Sequence, residues 1–145
     1  MDKTKQPLRR SVAAAFPCTV PVMTGYLVLG VAYGVLMQAK GYGAIWAFLM
    51  SAVAYCGSMQ FVAITLLTSA FDPVGAFLMS LMVNARHLFY GVSMLGKYRG
   101  MGWAKVPLVY TLSDETFSIV SSVEPPEGVE ARGFYLAVSL LDYVY

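Results

Sequence analysis

Charged residues are missing from very long stretches of this chain. After Arg10 the next charge is Lys40, and after Lys40 the next is Asp72. A third run, residues 73–96, carries one formal charge, Arg86, beside the single histidine, His87. Apolar runs of this length satisfy their backbone in lipid only as helices. The 24 residues of 73–96 make roughly 36 Å of helix at about 1.5 Å per residue, enough to cross a hydrocarbon core of about 30 Å with some tilt. Composition agrees: 58% of residues are hydrophobic and 12% charged, against about 25% charged in soluble domains. The expected fold class is all-α, a polytopic helical membrane protein forming a single membrane domain over 1–145.

The net charge of +2 is too small for a nucleic-acid partner, and no basic run has aromatics interleaved for stacking. Cys18 and Cys56 lie inside apolar runs without metal-ligand spacing and read as small packing residues. There is no HExxH, no GxSxG and no pair of histidines, so neither an enzyme, a metal site nor a cofactor is expected.

Lys3, Lys5, Arg9 and Arg10 outweigh Asp2 at the N-terminus, so residues 1–10 are expected to be a cytoplasmic tail. The apolar run that follows is too long for a signal peptide. It holds Pro17 and Pro21, then Gly30 and Gly34, a small-residue face that permits close helix approach. The run 41–71 has 31 residues, roughly 46 Å as one helix, half as long again as the membrane core. A break is therefore expected near Gly57, giving a broken or re-entrant pair over 42–55 and 58–70. This returns the chain to the same side, places Lys40 and Asp72 outside, and lets 73–96 deliver Lys97, Arg99 and Lys105 to the cytoplasm. Two short full crossings give the same sidedness.

From Val106 to Val123 a span is interrupted by Asp114 and Glu115. Read as one helix, it places Thr111, Asp114, Glu115, Ser118, Ser121 and Ser122 within one arc of about 120°, a polar stripe facing a pathway or protein. An amphipathic surface helix is the alternative, although no Lys or Arg lies on that face. Glu124 to Arg132 is a polar loop. Residues 133–145, which include Asp142, are too short to span, so the chain is expected to be truncated at its C-terminus.

Arg86 sits about ten residues from either end of its run. A charge at mid-membrane costs from about 3 kcal/mol on insertion scales to 10 or more in simulation, so it faces protein or a wet cavity. Three readings stand: a snorkelling side chain, an ion-pair partner that locks two helices, and a pathway residue. A buried cation, the carboxylates Asp114 and Glu115, a helix break and many apolar side chains are together the inventory for an amphoteric ligand. A zwitterionic amino acid needs donors for its carboxylate, from Arg86 or from free N–H groups near Ser58, and a carboxylate for its ammonium group. Proton coupling needs a titratable group, and Asp114, Glu115 and His87 are available.

Three motifs in order, Gly57-Ser58-Met59-Gln60-Phe61, Asn84-Ala85-Arg86-His87-Leu88-Phe89-Tyr90 and Ser113-Asp114-Glu115-Thr116-Phe117, resemble the AzlC-type family, the large subunits of bacterial branched-chain amino-acid exporters. The resemblance runs from about Phe16 to the end. It implies export of hydrophobic amino acids across the inner membrane together with a small hydrophobic AzlD-type subunit. The candidate substrate-binding residues are Arg86, Asn84, Tyr90, Ser58, Gln60 and Phe61. The candidate proton-coupling residues are Asp114, Glu115 and His87. Counting 100° per residue, Asn84 and His87 are expected to face the broken helix, and Arg86 with Tyr90 the polar stripe, where Arg86 pairs with Asp114 or Glu115. An ion or proton channel, or a structural membrane subunit, is the alternative.

Overall fold

The computed structural model describes residues 5–70 and 72–145, with side chains from Leu8 onward. Among the described residues the structure is all-α with no β-strand: α1 Lys5–Ala39, α2 Ala44–Ala54, α3 Gly57–Thr68, α4 Pro73–Met94, a short 3-10 turn Gly102–Ala104, α5 Lys105–Tyr110, α6 Asp114–Ser122 and α7 Ala131–Val144. The expected tail 1–10 is helical from Lys5, while residues 1–4 lie outside the described residues, as does position 71 at the end of the second apolar run.

Over Leu8–Ala39, α1 has the length and composition to cross a membrane. Pro17 and Pro21 lie inside it, and each removes one backbone donor. Threonine hydroxyls bond back to carbonyls along this stretch, Thr19 to Phe16 at 3.1 Å and Thr24 to Val20 at 2.8 Å, so these polar groups are satisfied within the helix itself. The small-residue face behaves differently from the expectation. A Cβ added at Gly30 or Gly34 would meet nothing within 4 Å, so no described neighbour packs there.

The long second run is broken, as its length requires. Tyr55 adopts the left-handed conformation, φ 38° and ψ 46°, and Cys56 is extended, so α2 stops at Ala54 and Gly57 opens α3. The break lies at Tyr55-Cys56, immediately before the glycine that signals it. With 11 and 12 residues, the two helices are about 17 Å long each, half a hydrocarbon core. They fold back on one another: the Tyr42 hydroxyl, before α2, donates to the Leu67 carbonyl at the end of α3 at 3.3 Å.

A second break was not expected. Val106 to Val123 is two helices, because Thr111, Leu112 and Ser113 leave the helical path between α5 and α6. Ser113 is extended at φ −93° and ψ 176°, and its side chain accepts the Thr116 N–H, a serine N-cap. Asp114 and Glu115 then occupy the first turn of α6, where the helix dipole favours negative charge. The continuous wheel therefore fails. Thr111 and Ser113 are buried at the break, whereas Ser118, Ser121 and Ser122 are exposed, so the polar residues form no single stripe.

Contacts divide the chain into two units, residues 1–26 with 90–145, and residues 27–89. The first has a core of Ala15, Met94, Leu108, Val120, Phe134 and Val138, among others. Its loop after α4 is anchored by Tyr98, whose phenol is pushed up to about 12 by burial and by Tyr135, and so stays protonated. Lys97 closes the end of α6 by donating to the carbonyls of Val120 at 2.7 Å and Ser121 at 3.1 Å, the polarity that a helix C-terminus favours. The second unit packs Tyr33, Met37 and Ile64 with Phe61 and Met50.

Candidate functional site

In the unit of residues 27–89 the α2–α3 break meets α4. The N-cap of α3, Cys56, provides no side-chain hydrogen bond to the helix start, so its side chain caps none of the first-turn N–H groups. Instead its thiol donates to the Asn84 side-chain oxygen at 3.2 Å, and the Asn84 amide donates to the Ser80 carbonyl at 2.9 Å. Arg86, two residues on, donates through Nη2 to the Ser58 hydroxyl at 2.6 Å. Ser58 is exposed and Arg86 is half-buried. A guanidinium and the positive end of a helix thus lie side by side, and both favour an anion.

This arrangement brings two candidate residues of α4 to the broken helix. Asn84 turns to the broken helix as expected, but Arg86 does so too. The 100° count describes where Cβ lies, whereas a long side chain on a helix runs back toward the N-terminal turn and reaches well beyond its own face. Tyr90 does face α6, stacked on Phe117 with ring centroids 4.3 Å apart and planes 17° apart. Phe61 packs edge-on to Tyr33 at 5.7 Å and belongs to the core of its unit. Gln60 and His87 are half-buried, on α3 and α4 respectively.

Asp114 and Glu115 belong to the other unit, together with Tyr90. There Glu115 Oε2 accepts the Tyr26 hydroxyl at 2.7 Å, and the same hydroxyl lies 3.2 Å from Ser113 Oγ. Ser113 Oγ is 3.2 Å from Thr116 Oγ1, which donates to Asp142 Oδ2 at 2.8 Å. Tyr26, Ser113, Thr116 and Asp142 were not among the candidate site residues, although Ser113 and Thr116 lie in the third motif. A carboxylate at Asp142 inside an apolar element was a usable signal, by the argument applied to Arg86. The hydroxyls carried none, since Ser, Thr and Tyr are ordinary residues of membrane helices.

These features define an all-α membrane protein built around two helix breaks, one beside a cation and one beside carboxylates. The chain belongs to the AzlC family: residues 21–145 match the family described as AzlC protein. It is 47% identical over 145 residues to the branched-chain amino acid transport protein AzlC of Bacillus subtilis (strain 168), covering 100% of this chain and 57% of that one. It is 38% identical over 145 residues to an uncharacterized membrane protein of Haemophilus influenzae, covering 99% of this chain and 59% of the relative. The inner membrane protein YgaZ of Escherichia coli (strain K12) is 25% identical over 128 residues, covering 82% of this chain and 50% of the relative. The chain thus spans between half and three fifths of the length of these relatives. No solved structure matches it.

Proposed function

We propose that this chain forms part of a carrier, not an enzyme, that exports branched-chain or other hydrophobic amino acids across the bacterial inner membrane, coupled to proton movement. One observation carries the reading: the Arg86 guanidinium bonded to Ser58 at the start of α3. A substrate carboxylate placed there accepts from Arg86 and from the N–H groups of the α3 first turn. Ser58 then gives up its bond to Arg86 and turns to the substrate. Asn84 and Gln60 flank this position on α4 and α3, and neighbouring apolar side chains suit the substrate's hydrocarbon part. Tyr90 and Phe61, initial candidates for contact, serve to hold α4 and α3 in place through their ring contacts.

Asp114, Glu115 and His87 supply the titratable groups for proton coupling. The N-terminus is cytoplasmic, and a small hydrophobic AzlD-type subunit completes the exporter, covering apolar surface such as the bare Gly30 and Gly34 face of α1. The name of the Bacillus subtilis relative supports the substrate class. Substrate-dependent counterflow tests the whole reading. Vesicles containing the complete exporter and loaded with unlabelled valine should take up labelled valine against its gradient. A channel or a purely structural subunit gives no counterflow.

A further inference from the structure

The hydrogen bonds around the α5–α6 break have a direction. Thr116 Oγ1 donates to Asp142 Oδ2 at 2.8 Å. Its hydrogen is thereby committed, so the hydrogen in the 3.2 Å contact with Ser113 comes from Ser113. Tyr26 has a single hydroxyl hydrogen and two acceptors, Glu115 Oε2 at 2.7 Å and Ser113 Oγ at 3.2 Å. When Glu115 is ionised, that hydrogen points to Glu115. When Glu115 is protonated it donates to Tyr26, and Tyr26 donates to Ser113. Every hydrogen in the line then points from Glu115 toward Asp142.

Asp142, at the far end, is 0% exposed, and Ser139, one turn before it on α7, is 1% exposed. Among the described residues Asp142 Oδ1 and Ser139 Oγ have no hydrogen-bond partner, and Asp142 makes no ion pair. Among the described residues, Glu115 of α6 is the charged group that acts on it. On the α5 side Tyr110 packs against Tyr143 with centroids 6.5 Å apart, and on the α1 side Thr19 bonds the Tyr145 hydroxyl at 3.0 Å. A carboxylate so placed has its charge uncompensated, and a proton removes that charge.

We infer that Asp142 is the inner proton acceptor of this protein, loaded from Glu115 through the hydroxyls of Tyr26, Ser113 and Thr116. The inference rests on the proton-coupled reading above. In one passage the O–H bond at Glu115 Oε2 breaks and the proton goes to Tyr26 Oη. Tyr26 passes its hydrogen to Ser113, Ser113 to Thr116, and Thr116 to Asp142 Oδ2, where the new O–H bond forms. Each hydroxyl loses one hydrogen and gains one, so the negative charge moves from Asp142 to Glu115 and every hydrogen in the line now points back toward Glu115. Reloading requires the hydroxyls of Tyr26, Ser113 and Thr116 all to rotate back.

The test uses the complete exporter as wild type and as Asp142→Asn, Tyr26→Phe, Thr116→Val and Thr116→Ser. Infrared difference spectra on lowering the pH should show the carbonyl stretch of protonated carboxyls in the wild type, and Asp142→Asn should lose the part of that band that belongs to Asp142. Tyr26→Phe and Thr116→Val should slow pH-driven valine flux by about tenfold or more, and Thr116→Ser, which keeps the hydroxyl, should restore it. If Asp142→Asn keeps the full infrared band, or if Tyr26→Phe and Thr116→Val both keep the wild-type pH response, the relay is overturned. Flux driven by a sodium gradient in place of a pH gradient overturns it as well, because the carboxylate then holds a cation. Valine counterflow by the wild type, measured without a pH gradient, reads the carrier function separately: its absence defeats the carrier reading, while the infrared band still decides the relay.

Discussion

The Arg86 guanidinium donates to the Ser58 hydroxyl at 2.6 Å, joining the middle of α4 to the first turn of α3. This bond ties a cation to the break that interrupts the second apolar run, and substitutions at its two ends should have unequal effects. Arg86→Lys keeps the charge but loses the planar two-pronged geometry, so valine export should be abolished while the protein still folds. Ser58→Ala removes a single hydroxyl and should weaken valine binding by about 1–2 kcal/mol, roughly five- to thirtyfold. Counterflow at graded valine concentrations measures both. Wild-type export by Arg86→Lys would remove Arg86 from the role of carboxylate anchor.

Tyr55 is the non-glycine residue with positive φ, at 38°, among the described residues. A β-branched side chain tolerates that conformation poorly, whereas asparagine adopts it readily. Tyr55→Val should therefore be less stable than Tyr55→Asn by about 1–2 kcal/mol. Both variants lose the ring, so their difference in unfolding midpoint isolates the backbone conformation. Equal midpoints would show that the left-handed residue does not set the break.

With the basic N-terminus on the cytoplasmic side, as proposed above, the fold-back of α2 on α3 should bring both Lys40 and Asp72 out on the external side. With Cys18 and Cys56 replaced, Lys40→Cys and Asp72→Cys should react with an impermeant maleimide added outside intact cells. Reaction of Asp72→Cys only from the cytoplasm would refute this topology.

Lys97 donates to two carbonyls at the end of α6 and to Glu124 at 3.1 Å. Glu124 is 75% exposed, and an ion pair so hydrated is worth about 0–1 kcal/mol. The carbonyl bonds matter more. Lys97→Met should cost about 1–3 kcal/mol, while Glu124→Gln should cost less than about 1 kcal/mol. Thermal unfolding decides between them, and equal losses would put the ion pair ahead of the cap.

Length and charge placement in the sequence determined that the protein is all-α and membrane-embedded, and that 41–71 breaks near Gly57, because about 30 Å of hydrocarbon limits any uncharged helix. The same constraint marked Arg86 as costly. Nothing periodic marked the break at Thr111-Leu112-Ser113, since Val106 to Val123 is short enough to be one helix and its polar residues fit an arc. That break depends on Ser113 capping α6 and on Tyr26, far away in sequence, bonding both Ser113 and Glu115. Only the tertiary structure decided which hydroxyls line up between Glu115 and Asp142, and that Arg86 reaches Ser58. Hydrogen-bond partners are fixed by three-dimensional proximity and side-chain reach, and a one-dimensional count of turns carries neither.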